Sequence, residues 1–395
     1  MRLESSIGSR SPPPAGRRDD TPRTRLNRLL RRATGRSQSF LQLCQCLQGS
    51  LPEQINWLPF VGLANQTLTT PALMDFANRF SDRIPEDVSI LIRETFNRNL
   101  LRNERLSSQL IDAIVALNKR GITPRLLKGT AMLATIPAFR GSRILTDLDI
   151  MVSPSEVSAA LEALLASDYI VHNQTPADAE KWHVDLGRAD DAGMIDLHRT
   201  LPGPAFFYRT PVDSSEIWRL IKVGPGEAYV PTPTYQAFIL TIHDQFQDSD
   251  YWLGNVDLRH LLDLSMLVAA PESIDWDTLE ALAPHDLTKN AIETQFLTLT
   301  TLLKVKIPPP ASARVIPKLQ LRRRLLQARF PGLRYVLLPS ALLDCRNFRA
   351  YRRASAASIR KDPAASISRD LPMFPGWERL RAVLALSRHP RVGKI

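Results

Sequence analysis

The run Thr146-Asp147-Leu148-Asp149-Ile150-Met151-Val152 constrains this chain more than any other stretch. Acids and apolar residues alternate in it, and a period of two marks a strand with one face buried. Asp147 and Asp149 then project from one face, and Leu148, Ile150 and Val152 from the other. Two carboxylates a few Å apart drive each other's pKa values apart unless a cation lies between them. Hard oxygen ligands suit Mg²⁺ or Mn²⁺, and the ion's other positions are commonly filled by a nucleotide's phosphates. The competing reading, two surface acids on an edge strand, sits badly with apolar residues on both sides.

A third carboxylate stands in a similar setting at Met194-Ile195-Asp196-Leu197-His198. If that strand lies beside 146–152, Asp196 joins the same metal cluster. Two ions held in this way stabilise the attacking and leaving oxygens of an in-line displacement, which is phosphoryl or nucleotidyl transfer. Asp196 could instead oppose Arg199. His198, two residues on, shares the face of Asp196, where it contacts substrate, acts as a base, or hydrogen-bonds Asp196. His183 and Asp185 alternate with Val184 and Leu186, and either line the cleft or face water.

Upstream, Lys128-Gly129-Thr130 falls at an expected strand-to-helix junction. A glycine allows close backbone approach, and a helix N-terminus offers N–H groups and a positive dipole end to phosphate. Lys128 adds a point charge there, unless it only snorkels from the strand end. Thr130 also fits a helix N-cap. Arg140 and Arg143 lie in the Arg- and Gly-rich stretch 137–145, placed to clamp a triphosphate.

Charge is distributed unevenly over the 395 residues. Residues 1–36 carry ten arginines against three acids, and residues 305–395 carry twenty Lys and Arg against four acids, which leaves the middle at −12 beneath a net +11. A nucleic-acid binder usually shows its basic residues on its folded face, and here the body is acidic. The basic ends suit an anionic partner such as RNA or a membrane surface, or are simply solvated. No stretch reaches the roughly 18 apolar residues of a membrane span. Cys44, Cys46 and Cys345 lack the spacing of a disulfide framework or a zinc site, so a reducing cytoplasm is expected, with peripheral membrane association as the alternative.

Periodicity divides the chain into five parts. Residues 1–36 read as a disordered basic tail, with a short amphipathic patch at Arg25–Arg32, and 37–119 as helical, clearest from Val88 to Leu117. Residues 120–231 read as a catalytic core of short strands and helices: strands at 124–127, 146–152, 169–172, 182–187 and 193–198, and helices at 130–136 and 154–167. The last two strands form an antiparallel pair across an acidic turn. Residues 232–304 read as four helices, in which Asp257 to Arg259 either help bind nucleotide or form an inter-helix ion pair. Residues 305–395 form a basic, partly helical region after the proline linker at 307–310. The fold class is α+β: a small mixed β-sheet flanked by helices.

Lys-Gly-Thr-Ala, then an Arg, then Asp-x-Asp in an apolar strand, then Asp-Leu-His, resembles the uncharacterised nucleotidyltransferase family of bacteria, within the DNA polymerase beta-like nucleotidyltransferase superfamily. The resemblance covers about 85–270, including His243-Asp244 and Asp257-Leu258-Arg259. Gly129-Thr130 matches the superfamily's glycine and small hydroxyl residue, with Thr where Ser is usual. Asp147 and Asp149 match its paired acids, and Asp196 its third acid. Eighteen positions separate Gly129 from Asp147, longer than the superfamily's usual gap but in keeping with the family. The resemblance implies transfer of a nucleoside monophosphate from an NTP to an acceptor, with Mg²⁺ (or Mn²⁺) on Asp147, Asp149 and Asp196. Lys128, Gly129, Thr130, Arg143 and His198 are the candidate nucleotide-binding residues, and the acceptor and oligomeric state stay open. Two other readings compete. One is a glycosyltransferase using Asp-x-Asp for a nucleotide-sugar, which would need βα units where 37–119 reads helical. The other is a non-catalytic nucleotide- or RNA-binding protein.

Overall fold

The computed structural model describes residues 37–176, 182–203, 207–208, 214–272, 274–308, 314–344, 346–347 and 393–395. The basic tail 1–36 with its amphipathic patch, and most of the basic region beyond 347, lie outside the described residues.

Helix α1 (37–47), α2 (Trp57–Gln66) and α3 (Met74–Arg79) lead into the long helix α4 (Glu86–Asn118). Its apolar stripe Val88, Ile92, Leu106, Leu110, Ala113, Ile114 and Leu117 is buried, as helical spacing dictates. Each such Leu or Ile contributes about 1.5–3 kcal/mol on burial, so Leu110→Asp is expected to lower stability in urea titration by at least that much. The helix stops where Gly121 turns to φ +74°, and Ile122 N–H closes back on Leu117 O at 3.1 Å. Polar side chains also line the buried stripe. Asn99 and Asn103, one turn apart, donate to the carbonyls of Arg140, Gly141 and Arg143. Arg102 donates to the Leu145 carbonyl and, at 3.0 Å, to that of Ala192. These bonds pin the stretch before the acidic strand to α4.

Cys44 and Cys46 on α1 are free and buried. Burial pushes both thiols up to about 12, so little thiolate forms at neutral pH. Iodoacetamide at pH 8 is therefore expected to spare both in the native protein and label both in urea, as read by peptide mass mapping. Native labelling would mean that α1 does not pack as described.

A seven-stranded mixed sheet follows: β1 (Arg125–Leu126), β2 (Asp147–Met151), β3 (Ile170–Gln174), β4 (His183–Gly187), β5 (Met194–His198), β6 (Trp218–Val223) and β7 (Gly226–Pro231). The strand order is β3-β4-β5-β2-β1-β7-β6. Strand β2 runs parallel to β5 and antiparallel to β1, and β4 pairs antiparallel with β5 across the expected acidic turn. Between β1 and β2 lie α5 (Lys128–Thr135) and the four-residue α6 (Phe139–Ser142), where the sequence reading expects an irregular loop. A Cβ at Gly141 would sit 2.1 Å from the Phe96 ring, so the glycine leaves the space that Phe96 of α4 fills. Helix α7 (Val157–Leu165) precedes β3. The β6–β7 hairpin is absent from the sequence reading, and it widens the sheet by pairing β7 parallel to β1.

The four expected helices of 232–304 are present as α8 (Pro233–Ile242), α10 (Leu258–Ala269), α11 (Trp276–Leu282) and α12 (Asp286–Leu303), and a π-helical turn at His243–Gln247 and the short α9 (Asp250–Leu253) are added between the first two. Beyond these, α13 (Val315–Arg329) and α14 (Leu333–Leu337) pack back on this region. No described helix is long and apolar enough to cross a membrane.

Several of the described basic residues after 305 meet this chain's own polar and acidic groups. Arg314 pairs with Asp286 at 3.0 Å. The buried Arg324 donates to Gln295 and Gln245. Lys394 Nζ lies 2.5 Å from Asp250 and 2.8 Å from Asp248. Part of the charge asymmetry between body and end is thus satisfied internally.

Candidate active site

Strand register assembles the site. On β2 and β5, Asp149 lies directly opposite Asp196, and on β5 and β4, Asp196 lies opposite Asp185. One face of these three strands therefore carries Asp147, Asp149, Asp196, His198, Asp185 and His183. The other carries Leu148, Ile150, Ile195, Leu197, Val184 and Leu186, all fully buried. The period-two pattern is what places every carboxylate on one side, because a slip of one residue would exchange the faces.

Asp149 is the centre. It is 4% exposed. Its Oδ1 meets Lys128 Nζ at 2.6 Å and His198 Nε2 at 3.1 Å, and its backbone N–H donates to Thr130 Oγ1 at 2.7 Å. His198 Nε2 also reaches Asp196 Oδ2 at 3.1 Å, so one imidazole bridges both acids. Burial opposes the Asp149 charge, but Lys128 and His198 more than offset it and hold the carboxyl well below the usual range. Burial opposes the His198 charge too, yet hydrogen bonds to Asp149 and Asp196 raise its pKa to about 9. Asp147 shifts the other way: burial, then the neighbouring Asp149 charge, raise it. The pair is driven apart, as two carboxylates on one strand face must be.

Asp149, Asp196 and His198 present ligand atoms within 4.8 Å of one another, as do His183, Asp185 and Asp196. Asp147 accepts from Thr146 Oγ1 at 3.0 Å. Asp196 Oδ1 is buried with no hydrogen-bond partner. An orphaned carboxylate oxygen among hard oxygen donors fits a divalent ion of the Mg²⁺ or Mn²⁺ type. The Arg199 guanidinium stacks over Trp182 at 5.5 Å.

The Lys128-Gly129-Thr130 segment starts α5 beside β2. The left-handed residue is Lys128, at φ +47°, a conformation that costs about 1–3 kcal/mol in a non-glycine residue. Gln236 Nε2 holds its carbonyl at 2.7 Å. Gly129 serves close packing: a Cβ there would lie 2.4 Å from Leu145 Cδ2. Thr130, fully buried, anchors β2 through the Asp149 N–H.

Arg143 is placed differently from Lys128. Its Nε and second terminal nitrogen grip Asp263 at 2.9 and 3.1 Å, and its other terminal nitrogen donates to Ile144 O at 2.7 Å. Asp257 caps α10 by accepting from the N–H groups of Arg259 and His260, and its ion pair with the Arg259 side chain is local, at 2.8 Å, rather than between helices. His243, in the π-helical turn, feels the charges of both Lys128 and Asp149. Burial first, then Lys128, lower its pKa to about 3.

Gln236 and Lys394 carry no signal in the sequence, and Asp263 is visible there only as one charge of the helical region, without its partner. No spacing signal ties Gln236 to Lys128 or Asp263 to Arg143, which are 108 and 120 positions apart. The π-helical turn, a frequent mark of functional sites, is likewise invisible in periodicity.

Residues 53–295 match the family model described as uncharacterised nucleotidyltransferase. No curated protein matches the chain. Among solved structures, the solution structure of antibiotic-resistance factor ANT(2'')-Ia is similar at 10% identity and a TM-score of 0.31, over 50% of this chain and 97% of that one.

Proposed function

Because the chain belongs to the uncharacterised nucleotidyltransferase family, we propose that it is a divalent-metal-dependent enzyme that moves a nucleoside monophosphate from an NTP to an acceptor. A single observation carries the metal dependence: Asp149 and Asp196 are paired across adjacent parallel strands, and one Asp196 oxygen is buried without a partner. Mg²⁺ or Mn²⁺ held by Asp147, Asp149 and Asp196 would act as a Lewis acid on the phosphate oxygens.

The chain's own residues supply the rest. Asp196 takes the proton of the acceptor hydroxyl as that oxygen bonds to the α-phosphorus. The bond from the α-phosphorus to the bridging oxygen breaks, and pyrophosphate leaves. His198, bonded to both acids, fixes their relative orientation. Gly129 and Thr130 shape the turn from which Lys128 projects, and Lys128 offsets phosphate charge. Arg143 acts indirectly, by tying the stretch before β2 to α10 through Asp263.

The test is calorimetric titration of NTPs with Mg²⁺ into wild type and Asp147→Ala/Asp149→Ala. The wild type is expected to bind and the double variant to lose at least about tenfold in affinity, roughly 1.4 kcal/mol. Equal binding by both would remove the assignment. Pyrophosphate release across NTPs and candidate acceptors then identifies the substrates.

A further inference from the structure

The Lys128 ammonium engages one oxygen of the Asp149 carboxylate, the most buried acid of the cluster. Its Nζ lies 2.6 Å from Asp149 Oδ1, at hydrogen-bonding distance for a charged pair. Asp147 and Asp196 also act on its charge. The side chain is only 16% exposed and its partner carboxylate 6%, so the pair is well shielded from water. The backbone holds the lysine there: Lys128 adopts φ +47°, its carbonyl is fixed by Gln236, and Asp149 is fixed by Thr130 from the same turn. A strained lysine with its carbonyl held by Gln236, aimed at the most buried acid of the site, is more than a surface ion pair.

The geometry points to Lys128 as the resident cation of the carboxylate cluster, whose hold on Asp149 Oδ1 competes with a divalent ion and passes to the triphosphate when that arrives. This inference rests on the nucleotidyl-transfer reading and adds the way the site is regulated: metal and triphosphate bind as a coupled pair, each weak without the other. A metal ion arriving alone would displace a buried ammonium with nowhere to go. One arriving with triphosphate brings that ammonium a partner. Coupling between two ligands at one site typically amounts to about 5–150-fold in affinity.

The experiment titrates the full chain with Mn²⁺ alone, followed by electron paramagnetic resonance, and with the preformed Mn²⁺–tripolyphosphate complex, followed by calorimetry. Neither measurement requires turnover or the identity of the nucleotide. Lys128→Met is expected to bind Mn²⁺ alone about tenfold more tightly than wild type and the complex about tenfold more weakly. Lys128→Arg retains the positive charge and should keep Mn²⁺ alone weak. Lys128→Gly accepts the positive φ without strain, so it carries the test should the Met variant fold poorly. A merely structural lysine would change both affinities in one direction or neither. Mn²⁺ binding by Lys128→Met and Lys128→Gly no tighter than wild type would overturn the inference while leaving the metal site standing, provided wild type binds the complex. Absence of binding of either ligand to wild type and variants alike would overturn the nucleotidyl-transfer site as well.

Discussion

Asp149→Asn is expected to lower kcat/KM for pyrophosphate release by on the order of 10⁴-fold, and to destabilise the fold by about 3 kcal/mol in urea titration. The first figure follows from what a carboxylate that orients a Lewis-acid ion contributes: several kcal/mol of transition-state stabilisation, at a factor of ten per 1.36 kcal/mol. The second follows from Lys128 and His198, both of which lean on the Asp149 carboxylate from within a buried site. Removing one member of a buried ion pair leaves the other uncompensated, which costs about 3–5 kcal/mol, and an Asn oxygen recovers part of it. The companion change Asp147→Asn separates the two effects. Burial and the repulsion of Asp149 already raise the Asp147 carboxyl, so losing its charge is expected to leave stability unchanged or slightly higher while activity still falls. Two aspartates of one strand face would then share a loss of catalysis and differ in stability. Equal destabilisation by both would mean that the Lys128–Asp149–His198 contacts do not hold the site together.

The contrast within one short motif shows how far the sequence carries. Alternation in 146–152 and 193–198 was enough to place Asp147, Asp149 and Asp196 on one face, because strand geometry leaves no other choice once Leu148, Ile150, Ile195 and Leu197 are buried. The helices were legible for the same kind of reason, since Val88 to Leu117 and Leu287 to Leu303 repeat at helical spacing. The β6–β7 hairpin was not. Leu220 is 52% exposed where apolar residues are expected inside, and β7 opens on Gly226 and closes on Pro231, residues that otherwise signal turns. Glycine at 129 reads as allowing close backbone approach to a ligand; in the structure the space beside it is taken by Leu145, and the positive φ falls on Lys128. Charges were visible one by one, but their partners were not. Lys128 could be seen near the acids because both belong to the same βα unit, whereas the partner of Arg143 lies in a helix far along the chain.

That partner makes Arg143→Met the second large effect. Arg143 and Asp263 are 9% and 1% exposed and joined by two parallel hydrogen bonds, the strong form of the guanidinium–carboxylate contact. Arg143→Met strands a carboxylate in the interior and is expected to destabilise the fold by about 3–5 kcal/mol, as is Asp263→Leu, which strands the guanidinium. Removing both leaves apolar groups of similar volume facing each other, so the double variant is expected to fall well short of the sum, with a coupling of at least about 1.5 kcal/mol. The same cycle distinguishes the two roles open to this arginine. A residue clamping the triphosphate raises the KM for NTP in every variant that lacks it, the double variant included. A residue that ties the stretch before β2 to α10 disturbs KM only as far as that stretch moves, so the double variant returns toward wild type as its stability does. Steady-state kinetics and urea titration on the four proteins give both answers, and a double variant that regains stability while its KM stays tenfold high would assign Arg143 to the nucleotide after all.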